Sequence, residues 1–364
     1  MNLFGKYKSE DLLYSCIFGS GIYRVTKESV MDPLFGEGDE DRYSPILRND
    51  ITGEEFYMKL LNCSPEMYGK YRDRITNPPV RTHVLWPADM VDLQDKDIGC
   101  SLFVSTQYTD DPDSDNNWQC HRALLFPYGE YPHMINGAQR LKQIKNATWK
   151  NPEIRKIAYQ LVKALDEINR SGYSYQDFHL SKFFFLDNDE IYLDFSSLAI
   201  SLADCVSGDT ETERMLEDNE YPLEFADPAV FNRKHDSFDF DSQNYSLTAF
   251  LFYLFIGIYP YDGRLLTGFM DDNIQRHYVK FRNYLKMPVF VFDPDDTHNA
   301  LGAFAEDEEV IELWEELPDL LKPLFINTLK KSNAERETAV SNPTPGMWMA
   351  CFDALGWNKE VADA

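Results

Sequence analysis

The segment YSYQDFHLSKFFFLDNDEIYLDFSS, residues 173–197, contains two aspartates that adjoin apolar runs. Asp177 lies in a polar stretch, and Asp194 ends the second apolar run. Between them, Asp187-Asn188-Asp189 is typical of a tight turn, so FFFLDNDEIYLDF is predicted to form a β-hairpin. Functional side chains often stand where a rigid element meets a loop. Asp177 and Asp194 are therefore the first candidates for chemistry.

The composition predicts a folded cytoplasmic protein. The chain has 364 residues, of which 43% are hydrophobic and 14% aromatic, enough for one large bilobal domain or two smaller ones. Its 6 cysteines are scattered singly without a CxxC pair, which disfavours a disulfide framework or a zinc site. The first residues, MNLFGKYKSEDLL, lack the features of a signal peptide.

Charge and hydropathy disfavour two classes of partner. The net charge of −26 argues against nucleic-acid binding, because phosphate backbones attract basic surfaces. No apolar run reaches the ~20 residues that span a bilayer, so no membrane association is expected. The apolar run at residues 247–258 is predicted to be a buried helix instead. Nothing in the pattern predicts the oligomeric state.

Periodicity divides the chain into a β-rich part and a helical part. ILRNDITGEEFYMKLL, residues 46–61, contains two strand-like runs around Thr52-Gly53 and is predicted to be a hairpin. From Asn151-Pro152 to Ser171-Gly172, apolar residues recur with the helical period. We expect an N-terminal extension and β-rich lobe in residues 1–128, and an α-helical lobe in residues 129–364.

Four features occur in an order that resembles the protein-kinase family. They are a lysine that ends a strand (Lys59), a short helix after it, Asp177 after a long helix, and Asp194-Phe195-Ser196. Two later segments are similar to the end of an activation loop and to the central helix of the large lobe: EFADPAVF at residues 224–231 and YSLTAFLFYLFIGIYPYDGR at residues 245–264.

The resemblance covers roughly residues 35–350, and VLWPADMVD at residues 84–92 directs it towards bacterial serine/threonine-kinase-like proteins. It implies an α+β, bilobal protein-kinase-like fold with a small β-rich amino-terminal lobe and a larger α-helical carboxy-terminal lobe. The implied cofactors are ATP with Mg²⁺ or Mn²⁺. The implied partner is a protein substrate or a regulatory protein.

The resemblance assigns a role to each of three charged residues. Lys59 would neutralise ATP phosphates, Asp177 would accept the proton of the attacking hydroxyl, and Asp194 would hold the metal ion. Phosphoryl transfer depends mainly on positioning and on charge neutralisation, so a few such groups can carry it.

The resemblance also implies nucleotide-binding residues. Gly36 and Gly38 have the best spacing for a loop that covers the phosphates, although the neighbouring acids would repel a triphosphate. Phe18-Gly19-Ser20-Gly21 is an alternative with fewer charges, but it lies far upstream of Lys59. Phe126 and Tyr128 would lie beside the nucleotide.

Two positions in the loop after Asp177 depart from the family pattern. Lys182 stands where a second metal ligand, an asparagine, is usual, and His179 stands where a lysine is usual. An ammonium group cannot ligate Mg²⁺, but it can neutralise phosphate charge. Lys182 therefore either replaces a lost cation or marks a defective metal site, and both alternatives stay open.

Other departures concern residues that support the site. Glu66 and Asp73 are alternative ion-pair partners for Lys59 on the helix that follows it. Ala229 replaces a glutamate of the activation segment. Gln243 replaces the aspartate at the start of the central helix, and Asp241 is expected to take over its anchoring role.

The favoured function is an atypical ATP-dependent protein serine/threonine kinase, with Lys59, Asp177, Lys182 and His179 as catalytic residues. A pseudokinase that binds nucleotide or a partner protein as a scaffold is the alternative. A metal hydrolase built on Asp177, His179 and Asp194 is disfavoured, because the other histidines are isolated in the sequence. A purely structural role for the charged residues is the remaining option.

Overall fold

The structure is a computed structural model that divides into two compact units. One, here the barrel unit, consists of Met1–Gly137 and Phe183–Phe195, and the other, the helical unit, of Ala138–Lys182 and Ser196–Ala364. The structure describes residues 11–18, 21–31, 43–61, 65–78, 83–92, 122–127, 134–175, 178–186, 190–195, 198–199, 224–231, 239–264, 288–302, 307–330 and 341–358.

Six antiparallel strands of the barrel unit form a closed barrel in the order β1-β2-β3-β4-β7-β6. Their bounds are β1 Leu12–Ser15, β2 Ile22–Met31, β3 Tyr43–Asn49, β4 Glu55–Leu61, β6 Asp89–Asp92 and β7 Arg122–Pro127. The closing pair is β1 with β6, where Tyr14 lies opposite Asp92. Closure leaves no unpaired edge in this sheet.

Alternation along the strands builds the interior of the barrel. Leu13, Val25, Leu47, Met58 and Leu125 are buried together in one cluster. The β3–β4 hairpin is fixed by its turn, where the Asn49 side chain accepts hydrogen bonds from the N–H groups of Ile51 and Thr52. Gly53 has a positive φ of 76° there, a conformation that favours glycine. The predicted hairpin around Thr52-Gly53 is confirmed.

A second, four-stranded sheet in the barrel unit has the order β5-β11-β10-β8. Its strands are β5 Val84–Leu85, β8 Ile135–Asn136, β10 Phe183–Phe185 and β11 Ile191–Asp194. β10 and β11 are antiparallel, which confirms the hairpin predicted within residues 183–195. β11 also runs parallel to β5, so the sheet is mixed. Helix α1, Pro65–Thr76, belongs to the same unit.

The predicted bilobal protein-kinase-like fold, with a small β-rich lobe and a larger α-helical lobe, is wrong. The structure has a closed six-stranded antiparallel barrel with a separate mixed sheet. Two long-range pairings produce the difference: β1 closes the barrel against β6, and the β10–β11 hairpin joins the unit formed by the first third of the chain. Local periodicity does not encode such pairings, because they depend on contacts between distant segments.

The helical unit contains most of the helices that the structure describes. They are α2 Gly137–Gln143, which begins at the unit boundary, α3 Pro152–Arg170, α4 Pro228–Phe231, α5 Phe240–Ile256, α6 Asp307–Glu315, α7 Lys322–Leu329 and α8 Pro345–Ala354. A two-stranded sheet pairs β9, Ser174–Tyr175, with β12, Leu198–Ala199.

Helix α3 forms as its sequence predicts. The Asn151 side chain caps it by accepting a hydrogen bond from the N–H of Glu153, and Pro152 occupies the first turn. Its buried residues follow the helical period: Ile154, Ile157, Ala158, Leu161, Val162, Ala164, Leu165 and Ile168. The helix ends at Ser171-Gly172, where Gly172 has a φ of 86°.

Helix α5 is the apolar centre of the helical unit. The Asp239 side chain caps it through the N–H of Ser242, and Gly257 ends it in the left-handed conformation with φ 86°. Phe252 and Phe255 both contact Phe325 of α7, at ring-centroid distances of 5.7 and 6.1 Å. The expectation of a buried helix here is confirmed. Among the described helices, none combines the length and apolarity needed to cross a membrane.

Candidate functional site

The structure describes only part of the predicted site. Asp177, Gly36, Gly38 and Tyr128 lie outside the described residues. The backbone of Lys59 lies in β4 opposite Leu124 of β7, while its side chain lies outside the described part. Phe126 is a buried residue of β7. Asp194, Lys182 and His179 are described with their side chains.

Asp194 ends strand β11 in the barrel unit and is 4% exposed. Its Cα lies opposite Leu85 of the parallel strand β5. The next residue, Phe195, is fully buried and packs its ring against Trp86 at 4.8 Å and Tyr71 of α1 at 5.7 Å. The strand and the two aromatic contacts therefore fix the backbone on which the Asp194 carboxylate stands.

Helix α1 places a buried cation beside this aromatic cluster. Arg74 is buried, and its guanidinium carbon lies 5.5 Å from the centre of the Tyr71 ring. Sequence reasoning missed Arg74, because an arginine on a short helix is usually exposed. Of the two proposed ion-pair partners of Lys59, Asp73 is exposed, and the side chain of Glu66 lies outside the described part.

The loop that contains Lys182 belongs to the helical unit and is held by Tyr175 of β9. The Tyr175 N–H donates to Oε1 of Gln243 at 2.8 Å, and its hydroxyl donates to the Lys182 carbonyl at 3.0 Å. Lys182 ends a short 3₁₀ turn, in which its N–H donates to the His179 carbonyl at 2.9 Å. Phe178 packs edge-on against the Tyr175 ring at 5.4 Å.

His179 lies near an acidic side chain of the same unit. Its Nε2 is 3.9 Å from Oε1 of Glu224, and the His179 side chain is 44% exposed. At this distance and exposure the interaction is weak, even when the imidazole is protonated. Glu224 directly precedes Phe225, which packs against Tyr253 and Tyr259 at 5.6 and 5.5 Å. Glu224, on the EFADPAVF segment, is thus an ionisable neighbour of His179.

The described hydrogen bond between α5 and the loop is made by Gln243, two residues after Asp241. Gln243, fully buried near the start of α5, supplies the oxygen that accepts from Tyr175. Asp241 instead binds Asn342: its carboxylate accepts from the Asn342 N–H at 2.7 Å, and its carbonyl accepts from the Asn342 side chain at 2.9 Å. A neutral amide can take the place of a carboxylate here because its carbonyl oxygen also accepts a hydrogen bond from an N–H.

Ala229 lies in the short helix α4 and is buried. Its N–H donates to the carboxylate of Asp227 at 2.8 Å, so Asp227 fixes the first turn of this segment. The resemblance would place a glutamate at residue 229, where this chain has alanine. Here the Asp227 carboxylate holds the backbone of the segment by accepting from the Ala229 N–H.

A buried polar cluster in the barrel was also missed from sequence. Asp89, 1% exposed on β6, accepts hydrogen bonds from the Tyr23 hydroxyl at 2.7 Å, from the Ser15 hydroxyl at 2.8 Å and from the Met90 N–H at 2.7 Å. Burial raises the pKa of Asp89 above its ordinary value, against the lowering effect of the three bonds. Burial and then the Asp89 carboxylate raise the pKa of Tyr23.

A metal site can be tested only in part. Asp194 offers carboxylate oxygens of the kind that Mg²⁺ prefers. Within the described ranges, no group of three or more histidine, cysteine, aspartate or glutamate side chains could hold a metal ion. Asp177, the other acidic residue that the sequence assigned to this chemistry, is outside those ranges.

Comparison with known proteins adds no assignment. No protein-family model matches the chain, and no curated protein matches it. A functional conclusion therefore depends on the residues themselves.

Proposed function

We propose that this chain is an ATP-dependent phosphotransferase that passes the γ-phosphate of ATP to a serine or threonine hydroxyl of a protein. The observation that carries the proposal is the placement of Asp194. Asp194 is 4% exposed at the end of β11, and Phe195 is packed between Tyr71 and Trp86. A metal ligand for phosphoryl transfer must be held accurately, because most of the catalysis is positioning.

The roles follow from the chemistry of each side chain. Bound Mg²⁺ or Mn²⁺ would neutralise charge on the β- and γ-phosphate oxygens. Asp194 would supply a carboxylate ligand, and Lys59 would interact with the phosphates as a cation. Asp177 would take the proton of the attacking hydroxyl while the new phosphorus–oxygen bond forms and the bond to ADP breaks.

The main-chain hydrogen bonds of Lys182 support this proposal, because they hold its backbone in place. Its carbonyl is bonded by the Tyr175 hydroxyl and its N–H by the His179 carbonyl, so the position that ordinarily carries an asparagine is fixed on both sides. An ammonium group on such a fixed backbone supplies positive charge in place of a second metal ion.

The direct test is transfer of labelled phosphate from ATP in the presence of Mg²⁺ or Mn²⁺, to general protein substrates and to the chain itself. Asp177→Ala and Asp194→Asn are each expected to lower the transfer rate by about 100-fold or more, because each removes a group that acts on the reacting phosphate or hydroxyl. Asp319→Asn is the matched control, since this side chain is 98% exposed and forms a surface ion pair with Lys322 at 3.2 Å.

Absence of transfer to any protein, together with no thermal shift on adding ATP, would contradict the proposal. A thermal shift with ATP but no transfer would favour the second candidate, a scaffold that binds nucleotide or a partner protein without catalysis. Two sequence features favour that candidate. Lys182 stands where the family pattern has a metal-binding asparagine, and Ala229 stands where it has a glutamate.

A further inference from the structure

A cleft of about 500 Å³ lies in the helical unit, where the connection from α2 to α3 meets helix α6. Sites for small molecules are commonly about 300–1,000 Å³ in volume. The connection lines the cleft with Lys145, Thr148 and Lys150, and α6 lines it with Glu309 and Glu312. None of the residues assigned above to phosphoryl transfer is in the described lining of this cleft.

The charged side chains of the lining have both signs, and most of them are open to a ligand. Lys150 forms an ion pair with Glu316, which follows α6 in the sequence. Among the described residues, the side chains of Lys145, Glu309 and Glu312 form no ion pair or hydrogen bond. All three residues are exposed, so a dissolved molecule can reach them. The cleft therefore offers a cation and two anions that the described part of the chain does not pair.

Trp149 holds the elements of the cleft together. Its indole N–H donates to the Leu313 carbonyl of α6 at 3.0 Å, and its main-chain N–H donates to the Phe255 carbonyl of α5 at 3.0 Å. Arg155 of α3 donates to the Lys150 carbonyl at 2.8 Å. The connection is thus bonded to three helices. A cleft held in this way is largely formed before a ligand binds, which lowers the ordering cost of binding.

We propose that this cleft binds a small zwitterion, a molecule of short-peptide size that carries one carboxylate and one ammonium group. The carboxylate pairs with Lys145 and accepts from the Thr148 hydroxyl, and the ammonium group pairs with Glu309 and Glu312. A simple anion would be repelled by the two carboxylates of α6, and a simple cation would be repelled by Lys145 and Lys150. Like-charge repulsion therefore selects a ligand with both charges.

Trialanine is the probe for the test, because it is a small peptide with one charge of each sign. A titration followed through the indole N–H resonance of Trp149 measures its binding, for which we expect a Kd on the order of 1 mM. N-acetyl-trialanine lacks the ammonium group, and trialanine amide lacks the carboxylate. Each should bind at least about fivefold more weakly than trialanine, because a charge-assisted hydrogen bond is lost.

Substitutions in the cleft assign each charge of the ligand to its partner. Lys145→Gln should weaken trialanine at least about fivefold and leave trialanine amide bound no more weakly than by the wild type. The double variant Glu309→Gln, Glu312→Gln should do the same to trialanine and leave N-acetyl-trialanine bound no more weakly. Lys163→Gln on α3 and Glu315→Gln on α6 are the matched controls, since both residues are exposed and outside the described lining, and wild-type affinity is expected.

Three results would overturn the proposal: no shift of the Trp149 resonance up to about 20 mM trialanine, equal affinity for trialanine and its two capped forms, or an equal loss of affinity in the control variants. Binding of free alanine as tight as that of trialanine would overturn the peptide size and assign the cleft to free amino acids. Binding is measured without ATP, so none of these results depends on phosphate transfer by the chain.

Discussion

Two buried polar side chains, Asp89 in the barrel unit and Gln243 in the helical unit, are used in different ways. The Asp89 carboxylate accepts three hydrogen bonds. The donors are Ser15 of β1, Tyr23 of β2 and Met90 of its own strand β6. Gln243 accepts one bond through Oε1, and its Nε2 has no hydrogen-bond partner among the described residues. All three donors to Asp89 therefore lie on strands of the barrel. The hydrogen bond that Gln243 accepts comes instead from Tyr175, at the start of a loop.

The surroundings of Gln243 show the same difference. Ser174 Oγ and Asn244 Oδ1 are buried in the helical unit and likewise have no hydrogen-bond partner within the described part of the chain. Buried polar atoms without partners are costly, and proteins keep them mainly where function requires them. The Asp89 cluster is thus closed within the barrel strands, whereas the helical unit also has buried polar atoms without a hydrogen-bond partner in the described part at Gln160, Asn169 and Thr328.

The largest expected effect is the loss of stability on removing the Asp89 acceptors. Asp89→Leu has a similar length but leaves the Tyr23 and Ser15 hydroxyls and the Met90 N–H without their acceptor. We expect the free energy of unfolding to fall by about 3 kcal/mol, since each unsatisfied buried donor is costly. Urea unfolding of the variant and the wild type measures it.

Asp89→Asn is the control for this prediction. Its side-chain oxygen still accepts from Ser15 and Met90, and its amide N–H can donate to the Tyr23 oxygen. The expected loss is about 1 kcal/mol or less. If asparagine cost as much as leucine, the charge and not the set of hydrogen bonds would be responsible, and the comparison would lose its basis.

A smaller loss is expected for Gln243→Met. The variant leaves one main-chain donor, the Tyr175 N–H, without its acceptor, but it also removes the Nε2 atom that has no partner in the described region. We expect the free energy of unfolding to fall by about 1 kcal/mol. A loss equal to that of Asp89→Leu, measured by the same urea unfolding, would show that Gln243 is a structural group of the same kind.

The sequence predicted the local elements of this fold because local rules determine them. Caps, turn residues and periodicity identified α3, α5 and both hairpins. It did not predict barrel closure, since the pairing of Tyr14 with Asp92 joins segments that are far apart in the chain. The polar residue Asp89 marked no site in the sequence, because its three donors come together only when the barrel closes.

The site was predicted in the same uneven way. The strand that ends at Asp194 follows from the hairpin pattern, and the structure buries that residue as part of it. Gln243 was passed over in favour of Asp241 because a carboxylate was expected as the anchor, although an amide oxygen can also accept the bond. Tyr175 was missed because its role depends on a bond to Lys182, which no pattern of residue types reveals.

The smallest expected effects are two pH slopes of opposite sign within the barrel unit. Burial raises the pKa of Asp89, so the folded state holds that proton more tightly than the unfolded chain does. The hydrogen bond from Arg24 lowers the pKa of Asp50, whose carboxylate lies 2.8 Å from the guanidinium. By linkage, the Asp89 contribution to stability grows as pH falls, and the Asp50 contribution is lost as pH falls through its folded pKa.

Asparagine variants isolate each slope, because an amide does not titrate. Between about pH 6 and about pH 3, the stability of the wild type relative to Asp89→Asn should rise, and its stability relative to Asp50→Asn should fall. Added salt should reduce the second slope, since the Arg24–Asp50 pair is exposed, and should leave the first nearly unchanged. Urea unfolding across this pH range measures both slopes. Slopes of the same sign would mean that the Asp89 carboxylate is solvated like a surface acid. Asp89 would then not belong to a closed polar cluster, and its contrast with Gln243 of α5 would be lost.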